Sequence, residues 1–163
     1  MQRIVFLDNE SPIEDGNGVG AHGNMPPHAV ANDGEPGMPR SSIYVGDIAH
    51  LSPIPNASRI GNIIVSGLIR GPDPATGKLA PTLEQQCTFM FQHMRQTVEA
   101  GGATVEDIVK VSVWMKELTR KPVNEEWVKM FPDPASRPAR QILEVPMEPG
   151  VLIQCDFIAV IES

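Results

Sequence analysis

Apolar and polar residues are arranged in three different ways along this chain, and each arrangement predicts a different kind of structure. Between Thr82 and Gly102, the residues Leu83, Cys87, Met90, Phe91, Met94 and Val98 recur at steps of four, three, one, three and four. That spacing lays all of them along one stripe of an α-helix. Thr82 is placed to cap the helix, Gln85 completes a capping-box pattern with it, and Gly101 and Gly102 end it. His93 falls off the stripe and is expected in solvent. A shorter helix is predicted from about Val123 to Phe131, because Pro122 suits a first turn and Val123, Trp127, Met130 and Phe131 share a face.

The second arrangement has a period of two and is rich in β-branched residues. "SIYVGDIA" (42–49), "GNIIVSGLI" (61–69), "DIVKVSVWM" (107–115), "ARQILEV" (139–145) and "VLIQCDFIAVI" (151–161) read as strands. In the last of these Val151, Ile153, Cys155, Phe157, Ala159 and Ile161 point one way, so Gln154 and Asp156 point the other. Between strands, "GPDPATGK" (71–78) is turn chemistry, with Pro fixing φ and Gly supplying a left-handed position. Strands first, then helix alternating with strand, predict an α+β fold: one mixed sheet with two helices on one side. Two helices cover only one face of such a sheet. The other still carries Leu152, Ile158 and Val160, so self-association into a closed oligomer is expected.

The third arrangement is the absence of either period. Between Pro12 and Pro39, 11 of the 28 residues are Gly or Pro, which resists helix and sheet alike. Residues 1–40 are therefore an N-terminal extension and 41–163 the folded domain. "GNGVG" at 16–20 is no phosphate loop, because no helix pattern follows to supply the dipole such a loop needs. His22, His28 and His50 are irregularly spaced and read as solvated side chains rather than metal ligands.

Composition narrows the function. With 163 residues, 41% hydrophobic and 20% charged, the chain is one ordinary globular domain able to bury a core without staples. The net charge is −7, and residues 1–50 hold seven acidic and two basic residues, leaving −2 for the remainder. No Lys/Arg cluster offsets this, so nucleic acid is not an expected partner. The early apolar run Ile4–Leu7 is too short for a signal peptide and nothing approaches a membrane span, so a cytoplasmic protein is expected. Cys87 and Cys155 stand apart among apolar neighbours and read as two buried thiols.

One residue does not fit a bland domain. In "FPDPASRPARQILEV" (131–145) a permanent cation, Arg140, sits where the chain enters the interior. A structural ion pair with Glu144 or Asp156 is one reading of it.

The stretch from about residue 41 onward resembles the RidA/YjgF family of reactive-intermediate deaminases, also known as the endoribonuclease L-PSP or translation-inhibitor family. The matching pieces are "IIVSG" (63–67), "DPATGKL" (73–79), "EAGGATVEDIVKVSVWMKEL" (99–118), "VNEEW" (123–127), "RPAR" (137–140) and "FIAV" (157–160), in family order. The resemblance implies a chorismate-mutase-like fold and a homotrimer whose sheets form a central barrel, with clefts between subunits. It also implies hydrolysis of enamines and imines derived from amino acids to 2-oxo acids and ammonia, with neither metal nor organic cofactor. Arg140 matches the family's substrate-binding arginine, whose planar fork holds a carboxylate through two parallel charge-assisted hydrogen bonds. Ser66 and Asn124 match residues lining the cleft, although a strand-end hydroxyl and a first-turn amide also have structural uses.

Other positions depart from the family pattern. Ile54 falls where members often carry an aromatic, Ile142 where a cysteine is common, and Leu68 where a glutamine is frequent after "SG". Gln154 stands in place of a carboxylate implied to move protons. An amide orients water but takes no proton at neutral pH, which leaves Asp156 or the N-terminal arm to do so. The altered shell favours a larger, more apolar conjugated substrate, such as an aminomuconate-like compound. A non-catalytic module that binds small carboxylic acids is the alternative. A ribonuclease comes third, because RNA affinity rests largely on neutralising phosphates.

Overall fold

In the computed structural model, which describes residues 40–46 and 52–162, the Thr82 hydroxyl accepts the Gln85 N–H at 3.3 Å and opens helix α1 (Leu83–Ala100). Gly102 closes it in the left-handed region at φ +78°, where a side chain would be strained. Cys87, Met90, Phe91, Met94 and Val98 are buried, as their spacing predicts.

His93 is not in solvent. Its side chain is buried, with Nδ1 3.1 Å from the Arg70 carbonyl oxygen. Gln86 and Thr97 are buried with it, on a second stripe that packs against the loops leading into and out of the sheet. Hydrophobic periodicity misses such residues because their polar atoms bond to backbone rather than water. Gln86 Nε2 donates to the carbonyls of Ala80 at 2.7 Å and Gly150 at 2.8 Å, while its Oε1 accepts the Leu152 N–H at 3.0 Å. Gly71 lets this junction close, since a Cβ there would overlap the Gln86 carbonyl.

Burial lowers the His93 pKa, so the unfolded chain takes up a proton that the folded chain resists. Its contribution to stability is complete above the unfolded pKa and is lost as pH falls below about 6.5, with a slope of at most about 1.4 kcal/mol per pH unit. Denaturant titrations at pH 7.5 and 5.5 are expected to show a larger acid-induced loss in the wild type than in His93→Gln. Parallel pH profiles for the two proteins would refute this.

The strands among the described residues are β1 (Ser41–Ile43), β2 (Ala57–Ile60), β3 (Ile63–Ser66), β4 (Ile69–Arg70), β5 (Ile108–Met115), β6 (Ala139–Glu144) and β7 (Ile153–Val160). They form one sheet in the order β1-β2-β3-β7-β5-β6, with β4 pairing β7 beyond β3. Only the β5–β6 pair is parallel in this set; the other pairs are antiparallel. The fold is thus α+β with a mixed sheet, as expected.

Several boundaries differ from expectation. The strand predicted over 42–49 ends at Ile43, since residues 44–46 leave the sheet for a turn; 47–51 lie outside the described residues, as do "GNGVG", His22, His28 and His50. β2 was not foreseen because "ASRI" has only one β-branched residue. The run 61–69 breaks after Ser66, whose hydroxyl accepts the Phe157 N–H at 2.8 Å and replaces a ladder bond. Helix α2 spans Arg120–Met130, starting about a turn before the expected Val123 and keeping Pro122 in its first turn. None of the described helices is long and apolar enough to cross a membrane.

Both helices lie on one face of the sheet. There Ile64, Val111, Val113, Met115, Ile153, Cys155, Phe157 and Ala159 form the core with the α1 stripe, Val123 and Trp127. The opposite face is open: Ile63 and Val65 are each 47% exposed, and their direct partners Val160 and Ile158 are each 37% exposed.

Candidate functional site

The loop that delivers Arg140 is built by its own sequence. The Asp133 carboxylate accepts the Ala135 N–H at 2.8 Å, and Arg137 ties the turn down by donating from Nε to the Phe131 carbonyl at 2.9 Å and from Nη2 to that of Pro132 at 3.3 Å. The first arginine of "RPAR" is therefore structural, a role that sequence reasoning missed.

Arg140 is the second residue of β6 and pairs with Val111 in parallel register. Directly paired residues share a face, so its side chain rises on the helix-covered side, beneath α2. There the guanidinium carbon sits 4.5 Å from the centroid of the Trp127 ring, and Nη2 donates to Asn124 Oδ1 at 2.7 Å. Nη1 is buried without a hydrogen-bond partner among the described residues. Burial, and then the Arg120 guanidinium nearby, lower the Arg140 pKa from its ordinary value. It stays cationic at neutral pH nonetheless.

The ion pair considered for Arg140 does not form. None of the ion pairs among the described residues includes it. Glu144 Oε2 instead accepts the Leu118 N–H at 2.9 Å. Asp156 pairs with Ser112 and Gln154 with Trp114 across β5, on the open face of the sheet, opposite to the face of Arg140. One copy of the chain therefore brings Arg140 and Asn124 together and holds Gln154 and Asp156 away from both.

The remaining candidates scatter in the same way. Ile142, next on the Arg140 face, is half-buried against the core. Ser66 lies on β3, separated from β6 by β7 and β5, which is about 14 Å of sheet at ordinary strand spacing. Its oxygen is engaged by Phe157, but its proton is still available to donate. Ile54, half exposed in the turn before β2, and Leu68, after the break in β3, lie on that same side of the sheet order. Because β6 ends the strand order among the described residues, alternate backbone groups along it face no neighbouring strand of that set.

The thiols are poor nucleophiles. Cys87 and Cys155 are free and buried, and burial raises both pKa values, that of Cys87 to about 12. Two of the grooves among the described residues lie near the helices. One of about 230 Å³ lies between the helices and is lined by Thr88, Phe91, Arg95 and Glu126 among others. The other, of about 160 Å³, lies between Leu83, Lys116, Thr119 and Leu152. Arg140 lines neither. Among the described residues no three His, Cys, Asp or Glu side chains cluster as a metal would need.

The family model described as endoribonuclease L-PSP matches residues 48–161. Reactive Intermediate Deaminase A, chloroplastic, from Arabidopsis thaliana is 29% identical over 110 residues, which is 66% of this chain and 59% of that protein's length. The 2-iminobutanoate/2-iminopropanoate deaminase of Salmonella typhimurium is 31% identical over 115 residues, 69% of this chain and 90% of that one. Among solved structures, the YjgF gene product of E. coli superposes with a TM-score of 0.68 at 28% identity, covering 75% of this chain and 99% of the other.

Proposed function

Because this chain belongs to the RidA/YjgF family, the group to which the endoribonuclease L-PSP model corresponds, we propose that it is a hydrolytic deaminase of 2-imino acids and their enamine tautomers. The observation that carries this reading is the state of Arg140. Its guanidinium is stacked and aimed by Trp127 and Asn124, and among the described residues it bears no carboxylate partner and has a buried Nη1 left over. A buried cationic N–H without an acceptor is costly, and a bound carboxylate supplies the missing acceptor.

Gripping the carboxylate fixes the adjoining C=N carbon in space. Water adds there, its oxygen bonding to carbon and one proton passing to nitrogen. The resulting carbinolamine collapses as the hydroxyl proton moves to nitrogen, the C–N bond breaks, and a 2-oxo acid and ammonia leave. Positioning alone supplies much of the acceleration for so electrophilic a carbon.

The proton carrier is assigned to Asp156, because the Gln154 amide orients water without accepting its proton. Both face away from Arg140 within a chain, so the reading places the site between copies, one contributing Arg140 with Asn124 and Ile142, and a neighbour contributing Gln154 and Asp156. A homotrimer closing its open sheet faces into a barrel, the chorismate-mutase-like arrangement, meets that requirement. The apolar residues Ile54, Leu68 and Ile142 favour a substrate larger than the smallest imino acids, such as an aminomuconate-like conjugated acid.

Ammonia release should be measured on imino acids generated in place by an amino-acid oxidase, and on 2-aminomuconate. Turnover on any of them supports the reading, and silence across the panel at high enzyme concentration overturns it. One observation, the amide at Gln154, favours a second reading in which the cleft binds a small carboxylic acid without turning it over. Saturable binding by calorimetry with no ammonia release would select that reading.

A further inference from the structure

Arg120, Asn124 and Trp127 succeed one another on α2 at steps of four and three, so they lie on one stripe of the helix. The lower two residues hold Arg140. The third extends the same stripe to the helix N-terminus. Arg120 is exposed, enters no ion pair among the described residues, and acts on Arg140 by repulsion.

Its placement runs against elementary electrostatics. A helix N-terminus carries partial positive charge and favours acidic side chains. The first turn of α2 holds no acidic residue, and the side chain of its cap, Thr119, makes no capping hydrogen bond. Lys121, the other first-turn cation, has a partner in Glu125 at 3.9 Å. Arg120 is therefore an unneutralised cation set beside a second unneutralised cation and the positive end of a dipole. All three become favourable together when an anion with two charged groups binds across them.

We propose that Arg120 and the first turn of α2 form a second anionic subsite next to Arg140, so that the preferred substrates are 2-imino acids carrying a second carboxylate. This rests on the deaminase reading of Arg140 and narrows its substrate class. Arg120 starts one turn of helix, about 6 Å along the axis, from Asn124, the amide that holds Arg140. A second carboxylate that reaches it belongs to a skeleton longer than three carbons.

The stable 2-oxo products serve as probes. Calorimetry on the full chain should compare 2-oxobutanoate, with one carboxylate, and 2-oxoglutarate, with two, against the wild type, Arg120→Gln and Arg140→Met. The wild type is expected to bind 2-oxoglutarate at least about tenfold more tightly, in keeping with a charge-assisted hydrogen bond. Arg120→Gln should erase that preference by weakening 2-oxoglutarate alone, and Arg140→Met should weaken both acids. Equal affinities in the wild type, or equal weakening of both acids by Arg120→Gln, overturn the second subsite and leave the site of Arg140 standing. Binding unaffected by Arg140→Met, or no binding of either acid at millimolar concentration, sinks the underlying reading instead.

Discussion

Arg140→Met is expected to lower kcat/KM for ammonia release by at least about 30-fold while leaving the melting temperature unchanged or higher. Removing one partner of a desolvated charge pair typically costs about 2–5 kcal/mol, and each 1.36 kcal/mol is a factor of ten in rate. The unusual half of the expectation is the stability. A structural arginine in an ion pair would leave an uncompensated carboxylate when truncated and would destabilise the fold. Arg140 has no such partner among the described residues: it bonds a neutral amide, is opposed by Arg120, and keeps a buried Nη1 unsatisfied. Methionine keeps an unbranched stem against the Trp127 ring and removes the charge. Binding function held at the expense of stability is the signature sought. Arg140→Lys should rescue little, because an ammonium offers a point charge in place of the planar fork. Full activity in Arg140→Met, or a fold that loses several degrees with it, contradicts the assignment.

What the sequence discloses and what it hides follow from how local each feature is. The α1 stripe and the alternation of β7 depend on one segment each, and both stand in the structure as the residue spacing predicts. That Gln154 and Asp156 turn away from Cys155 and Phe157 is the same kind of local fact. The side on which Arg140 lies is not. It depends on the register of β6 on β5 and of β5 on β7, which is set by packing between segments far apart in the chain. The motif around Arg140 thus identified a residue to follow without revealing that its supposed partners stand behind the sheet. His93 and Gln86 were hidden for another reason: each is polar, yet each is matched to backbone groups of a distant segment, Arg70 of β4 for His93 and Gly150 for Gln86, a pairing with no period in the sequence. Asn124 was legible as a candidate from its motif, while Trp127 read only as core and turned out also to support the guanidinium.

Ile158→Asp is expected to convert the proposed trimer into monomers and to abolish ammonia release although Arg140 is untouched. Ile158 and Val65 face each other across β7 and β3 on the open face, flanked by Ile63 and Val160, and each is at least 37% exposed in the single chain. A contiguous apolar patch of this kind on a sheet face is ordinarily covered, and three copies closing around an axis would cover it while leaving no free surface of that kind. An aspartate in the centre of such a contact would have to be desolvated, at several kcal/mol for each copy, and although Lys110 faces position 158 across β5, a buried ion pair repays that cost poorly. Circular dichroism should show an intact fold, because the substituted side chain already faces solvent in the monomer. Sedimentation should show wild-type trimers and variant monomers. The loss of activity then follows from the sheet itself: Arg140 and Asp156 lie on opposite faces of one copy, so a monomer never brings the proposed carboxylate grip and the proposed proton carrier to one carbon. A monomeric variant with undiminished turnover would show that one chain suffices, and the proton carrier would then have to be sought on the Arg140 side.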